Sequence, residues 1–135
     1  MVYSSEFSIR TRDKKELLDI TSQVREEVAK SGIKNGIAIV FVPHATAALY
    51  LNEHEGGLMR DVLSFLGEII PENRAYLHNR IDDNATAHLG SIIFKPFVVM
   101  PLTGGRLDVG TWQNVFLIEM DGPRTRRVII KVIGE

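Results

Sequence analysis

The chain holds four histidines, and three of them stand where a regular element ends. His44 follows Pro43 at the exit of the apolar run "IAIVFV", and His78 and His88 bracket the polar stretch "HNRIDDNATAH". Imidazole binds a metal as a neutral donor and also titrates near neutrality. Three histidines arriving from strand ends and loop edges could hold one Zn²⁺, with a fourth position open to water or substrate. Spacing alone does not require this: His78 and His88 are ten residues apart and no HExxH pattern occurs. Separate, locally satisfied loop histidines would give the same sequence.

Asp82 and Asp83 lie inside that stretch. A carboxylate there could act as a general base on a metal-bound water, or orient a ligating histidine from behind. Asp and Asn also make turns with their own backbone. Adjacent loop side chains diverge, so at most one of the two enters a site. A third group is "GGRLDVGTWQN", Gly104 to Asn114. Arg106 can grip a phosphate or carboxylate with two parallel hydrogen bonds. Thr111 and Gln113 add hydrogen-bonding groups. Trp112, the single tryptophan, is flanked by polar residues. A hairpin turn with a tryptophan closing the core edge explains the same residues. "GPRTRRV" sets Arg124, Arg126 and Arg127 at a strand entrance, read here as a solvated hairpin loop in preference to an anion patch.

These groups need elements to position them. The chain has 135 residues, 44% hydrophobic, with a formal charge of −1 and no cysteine. That is globular composition. It offers no general field for nucleic acid or an anionic membrane, and no basic stripe. Disulfides and thiolate metal sites are excluded, leaving His and carboxylate as strong ligands. The longest apolar run, Ile37 to Val42, is far short of the ~20 residues a membrane helix needs. The start shows no signal-peptide pattern. A soluble, cytoplasmic protein is expected.

"SSEFSIR" alternates as a strand. "DKKELLDITSQVREEVAKSGI" predicts an amphipathic helix capped by Asp13, with Leu17, Ile20, Val24 and Val28 inward and an end near Ser31-Gly32. "GIAIVFV" reads as a central strand and "ATAALYLN" as another. Asn52 and Glu55 form a capping-box-like pair opening a helix from about Glu53 to Gly67. Pro71 to His88 has no hydrophobic period, the mark of a functional or disordered segment. "SIIF", "FVVMPL", "RLDVG", "NVFLIEM" and "RRVIIKVIG" read as strands, with turns at Gly104-Gly105 and Asp121-Gly122-Pro123. The sum is one α+β domain over residues 1–135, a mostly antiparallel β-sandwich with two amphipathic helices.

"PHATAALYLNEHEGGLMRDV", "HNRIDDNATAHLGSII" and "GGRLDVGTWQNVFLIEMDGPRTRRVIIKVIGE", in that order and spacing, resemble the YjbQ-like family across nearly the whole chain. Its members are also described as secondary thiamine-phosphate synthases. The resemblance implies a compact α+β sandwich that assembles as a homotrimer. It implies a pocket gathering His44, His78 and His88 around a divalent metal, zinc being the expected occupant. Asn52, Glu53, Asp83, Arg106, Thr111, Trp112, Gln113 and Glu119 fall on family motif positions. Asp83, Arg106 and Glu53 are then the catalytic candidates; Asn52, Arg106, Thr111, Trp112 and Gln113 are the substrate contacts. The implied reaction couples a pyrimidine pyrophosphate to a thiazole phosphate, so the expected partner is a small phosphate-bearing anion. Nucleic acid and membrane are not expected partners. A non-catalytic metal or metabolite binder and a metal-assisted hydrolase are the alternatives.

Four positions depart from the pattern. Ala45-Thr46 follows His44 where Thr-Ser is usual. Gly90 stands where a lysine is common, which removes one anion contact. His54 stands where asparagine is common, and is left outside the site.

Overall fold

In the computed structural model, which describes residues 1–135, eight strands and three α-helices alternate along the chain. They are β1 (Val2–Arg10), β2 (Glu16–Asp19), α1 (Thr21–Lys30), β3 (Gly36–Phe41), β4 (Ala47–Asn52), α2 (Gly56–Ile69), α3 (Ala85–Phe94), β5 (Phe97–Thr103), β6 (Arg106–Leu107), β7 (Asn114–Glu119) and β8 (Thr125–Gly134). A 3₁₀ turn at Leu77–Arg80 precedes α3. One sheet has the order β1-β8-β3-β5-β6, the other β2-β7-β4, and every pairing is antiparallel. The α+β antiparallel sandwich is the expected fold class, with one helix more than the sequence pattern suggested.

The inner faces of the two sheets enclose the main core. Ala38, Val40, Met100, Ile130 and Val132 meet Leu49, Leu117 and Val115, and Val24 and Val28 of α1 join the same cluster. A smaller cluster fills the other side of the three-stranded sheet. There Ala48, Ile118 and Met120 pack against Leu66 and Ile70 of α2 and Ala87 of α3. This sheet is therefore covered on both faces, which is why "NVFLIE" is apolar without alternation. Strand β5 alternates cleanly, exposed and buried in turn, because one of its faces packs on the main core and the other is open.

Two elements differ from their sequence reading. Residues Glu16–Asp19 are strand β2, and α1 starts only at Thr21. Leu17 belongs to the strand, opposite Ile118, although its spacing from Ile20 and Val24 mimics a helix face. Asp13 is not a cap; Asp19 accepts the Thr21 backbone N–H at 2.9 Å beside the true helix start. The run "SIIF" is the end of helix α3, not a strand. This helix turns its small residues, Ala87, Gly90 and Ser91, to the sheet, and leaves Ile92 and Ile93 exposed. A Cβ on Gly90 would lie 2.4 Å from the Met120 sulfur, so glycine is what allows this approach. Glu55 alone caps α2, accepting from Gly57 and Leu58 N–H groups at 2.7 and 2.8 Å; the Asn52 side chain turns to the Glu53 N–H. Gly104 and Gly105 both have left-handed φ, +59° and +81°, as the tight β5–β6 hairpin needs.

Candidate functional site

The expected polar loop is a 3₁₀ turn running into a helix, and that geometry brings two histidines together. His78 sits on the turn and His88 one turn inside α3, with ring centroids 4.7 Å apart, edge to face. Both line an open cavity of about 420 Å³ with Tyr76, Leu77, Ala85 and Leu89. The walls are mainly apolar, and the imidazoles are its polar groups.

Behind His78 runs a chain of hydrogen bonds. Buried Asn84 donates its amide to Asp121 Oδ2 at 2.9 Å, which leaves its Oδ1 facing His78 Nε2 at 3.1 Å. That oxygen only accepts, so the His78 proton sits on Nε2. Arg124 closes around the same Asp121, its Nη2 on Oδ2 at 2.9 Å and its Nε on the backbone carbonyl at 2.8 Å. Burial pushes the Asp121 carboxyl up. The hydrogen bonds from Asn84 and Arg124 and the nearby positive charges outweigh it and hold the group below the usual range. Half of the Arg124 side chain stays exposed, 52%, so the guanidinium keeps a solvent-facing side.

The next layer inward is an ion pair between Glu119 and Arg126, whose side chains are 0% and 4% exposed. Arg126 Nη2 also donates to the Thr46 hydroxyl at 2.9 Å. Thr11 donates to Glu119 Oε1 at 2.7 Å, and the Met120 and Asp121 N–H groups reach Oε2 at 3.1 and 3.2 Å. Burial raises the Glu119 carboxyl, but these donors overcome it and leave it depressed. Every buried polar side-chain atom in the chain has a partner. The "GPRTRR" segment is thus not a solvated hairpin loop. It crosses from one sheet to the other, with Arg126 sealed in the core, while Arg124 and Arg127, the latter paired with Glu6 at 3.0 Å, lie on the surface.

His44 lies half-buried at the edge of this layer and not in the cavity lining. Its Nε2 accepts the Arg127 backbone N–H at 2.8 Å. Burial first, and then the Arg126 charge, lower its basicity, so the ring is neutral at pH 7. The expected convergence of three histidines is not made within one chain. No group of three or more His, Asp or Glu side chains lies close enough to hold a metal. A catalytic zinc site needs three protein donors, and the His78–His88 pair supplies two. The residues of a single chain therefore do not fit the expected zinc.

The remaining expected residues lie elsewhere. Asp82 is a turn residue, its Oδ1 accepting the Asp83 N–H at 2.8 Å, and Asp83 is exposed outside the cavity lining. Asn52 ends β4 opposite Asn114, whereas Ala47, at the other end of that strand, is bonded to Ser91 of α3. Five residues of strand separate the two ends by about 17 Å. Glu53, Thr111, Trp112 and Gln113 therefore share the Asn52 end, away from His78 and His88. Gln113 folds onto the Gly110 N–H at 2.8 Å, and Trp112 is 68% exposed, closing no core edge. Arg106 lies on β6 opposite Thr103, beside the Gly36 end of β3, while His44 follows the opposite end. Sequence reasoning missed Asn84, Asp121 and Arg124 as site residues. Their only signal was position, next to a histidine segment and in an arginine-rich turn.

This fold is an α+β sandwich of two antiparallel sheets, with α2 and α3 covering the outer face of the three-stranded one. The chain belongs to the YjbQ/UPF0047 family: the model described as "UPF0047 protein YjbQ-like" matches residues 5–135. A UPF0047 protein of Methanothermobacter thermautotrophicus is 42% identical over 134 residues, covering 99% of this chain and 94% of its own. The crystal structure of a YbjQ-like protein of unknown function from Sulfolobus solfataricus superposes with a TM-score of 0.98 at 48% identity, covering 100% of this chain and 99% of that one. A yjbq/upf0047 family protein of Clostridium acetobutylicum gives 0.90 at 35% identity, over 96% and 99% of the two chains. The family has no established function. No helix of the chain is long and apolar enough to cross a membrane.

Proposed function

We propose that the protein is a small-molecule enzyme acting on a phosphate-bearing substrate at the His78–His88 cavity. The reaction put forward is the one the family resemblance implies, thiamine-phosphate synthesis. The thiazole nitrogen lone pair forms a C–N bond to the pyrimidine methylene carbon, the C–O bond to pyrophosphate breaks, and pyrophosphate leaves. The observation that carries the reading is the facing pair of imidazoles at the mouth of an apolar cavity, tied through Asn84 and Asp121 to a half-exposed arginine. Tyr76, Leu77 and Leu89 give flat heterocycles an apolar wall. The solvent-facing side of Arg124 is the donor for charge growing on the leaving pyrophosphate.

Of the expected catalytic and binding residues, Asp83, Glu53, Asn52, Arg106, Thr111, Trp112 and Gln113 do not reach this cavity in one chain. They enter the reading only if a second copy, as in the expected homotrimer, brings its other end near. A divalent metal, zinc first, would need a third donor from the same source. Purified protein supplied with both precursors should form thiamine phosphate by mass spectrometry, with at least tenfold loss in His88→Ala and Arg124→Ala. Wild-type yield no higher than His88→Ala refutes the synthase reading.

The second reading is a non-catalytic binder of a metal or anionic metabolite. The absence of any carboxylate from the cavity lining favours it, since no side chain there is an obvious base at neutral pH besides imidazole. A melting temperature that rises with Zn²⁺ or thiamine phosphate while no turnover occurs would support it.

A further inference from the structure

The other end of the three-stranded sheet carries a histidine that the cavity does not use. His54 Nδ1 lies 2.6 Å from Asp19 Oδ2. The other Asp19 oxygen is pinned: Oδ1 accepts the Thr21 backbone N–H at 2.9 Å and the Thr21 hydroxyl at 2.5 Å. That hydroxyl in turn accepts the Val115 N–H at 2.9 Å. The carboxylate is therefore locked to the backbones of α1 and β7, and presents one oxygen to the ring. The ring rests on Phe116, centroids 5.5 Å apart, and Phe116 is stacked on Tyr50 at 5.1 Å. Burial first, and then the Asp19 charge, push the Tyr50 phenol up to about 12, so it stays neutral beside the pair.

A carboxylate only accepts, so the imidazole proton is on Nδ1 and the Nε2 lone pair is free. No protein group bonds that nitrogen, and the His54 side chain is 52% exposed. His54 is the only histidine with a carboxylate partner; His44 gives its Nε2 to a backbone N–H, and His78 bonds an amide. A carboxylate held in place behind an imidazole fixes its tautomer and stabilises the cation formed when Nε2 is used, the logic of the Asp–His pair in hydrolases.

We propose that His54, positioned by Asp19, is a second reactive centre that cleaves neutral carboxylic esters. Glu53 and Glu55 flank His54, and with Asp19 they set a negative field that disfavours phosphates and carboxylates as substrates. Exposed Trp112, at the same sheet end, offers an apolar face for an aryl or alkyl group. The Nε2 lone pair attacks the ester carbonyl carbon, and the C–O bond breaks to release the alkoxide or phenolate, which takes a proton from water. The acyl-imidazole, its charge facing Asp19, is then hydrolysed by water to the acid, which restores the neutral ring. Ester and water give acid and alcohol, and nothing is oxidised.

The competing role is purely structural, with the pair fastening the β4–α2 connection to β2. p-Nitrophenyl acetate separates the two on full-length protein, with nitrophenolate release followed by absorbance and the acetylated residue located by mass spectrometry. The expected result is a rate at least ~10-fold above that of N-acetylhistidine at equal concentration, with acetyl on His54 and at least ~10-fold loss in His54→Gln. Asp19→Asn should lower the rate, because the ring loses the carboxylate that holds its proton on Nδ1. A structural fastening moves melting temperature but neither the rate nor the site of acetylation. The proposal is overturned by a wild-type rate equal to N-acetylhistidine, by His54→Gln reacting like wild type, or by Asp19→Asn reacting at the wild-type rate.

Discussion

Replacing Arg126 by methionine removes the guanidinium that faces Glu119 in the core. Both side chains are enclosed, at 4% and 0% exposure, so water cannot take the place of the lost charge. Deleting one partner of a buried pair costs about 3–5 kcal/mol, because the other charge stays buried without compensation. Glu119 keeps the Thr11 hydroxyl at 2.7 Å and the Met120 and Asp121 N–H groups at 3.1 and 3.2 Å. Those donors place the loss near the lower bound, about 3 kcal/mol. At roughly 3 °C per kcal/mol for a chain of this size, the melting temperature should fall by about 10 °C. Urea titration at pH 7 should show a lower midpoint with an unchanged slope. Adding Glu119→Gln to Arg126→Met should recover part of the loss, since the orphaned charge is gone. The deficit of Arg126→Met should also shrink on acidification, as the unpaired carboxyl takes up a proton. A loss below about 1 kcal/mol, or single-variant effects that simply add in the double variant, would refute the reasoning.

Gly90→Ala puts a Cβ against the Met120 sulfur, and should cost about 1–3 kcal/mol, with Met120→Ala in the same chain relieving much of it in denaturant titrations. Glu119 and Asp121 are depressed below their ordinary values of 4.5 and 3.8 in the folded chain. As pH falls through those values the unfolded chain binds protons first, so stability is full above about pH 5 and is lost below it. Asp121→Asn should flatten that decline in urea midpoints measured between pH 7 and pH 3. Asn84→Leu removes the acceptor that fixes the His78 proton on Nε2, and ¹⁵N spectra of the ring should show both tautomers where wild type shows one.

Much of the fold was legible because period and punctuation survive in the sequence. The run "FVVMPL", the paired glycines at 104 and 105, and the run "GIAIVFV" each became the predicted element. The failures share a cause. Leu17 and Ile20 sit at helical spacing, yet Leu17 lies on an edge strand whose place is set by β7, distant in sequence. In α3 the buried face is made of small residues, so a hydrophobic pattern points to the wrong side of that helix.

The candidate site divides in the same way. Residue type alone marked His78 and His88 as chemistry-bearing and Asp82 as a turn former, because donor identity and backbone preference are local properties. Only the tertiary structure set Arg126 in the core and His44 on the Arg127 backbone, joined Asn84 to Asp121 across 37 positions of chain, and moved "GTWQ" to the far sheet end. It also turned His54, a residue in an acidic stretch, into the partner of Asp19. Strand register decides which side chains meet, and register follows from burial of whole faces, which no short motif encodes.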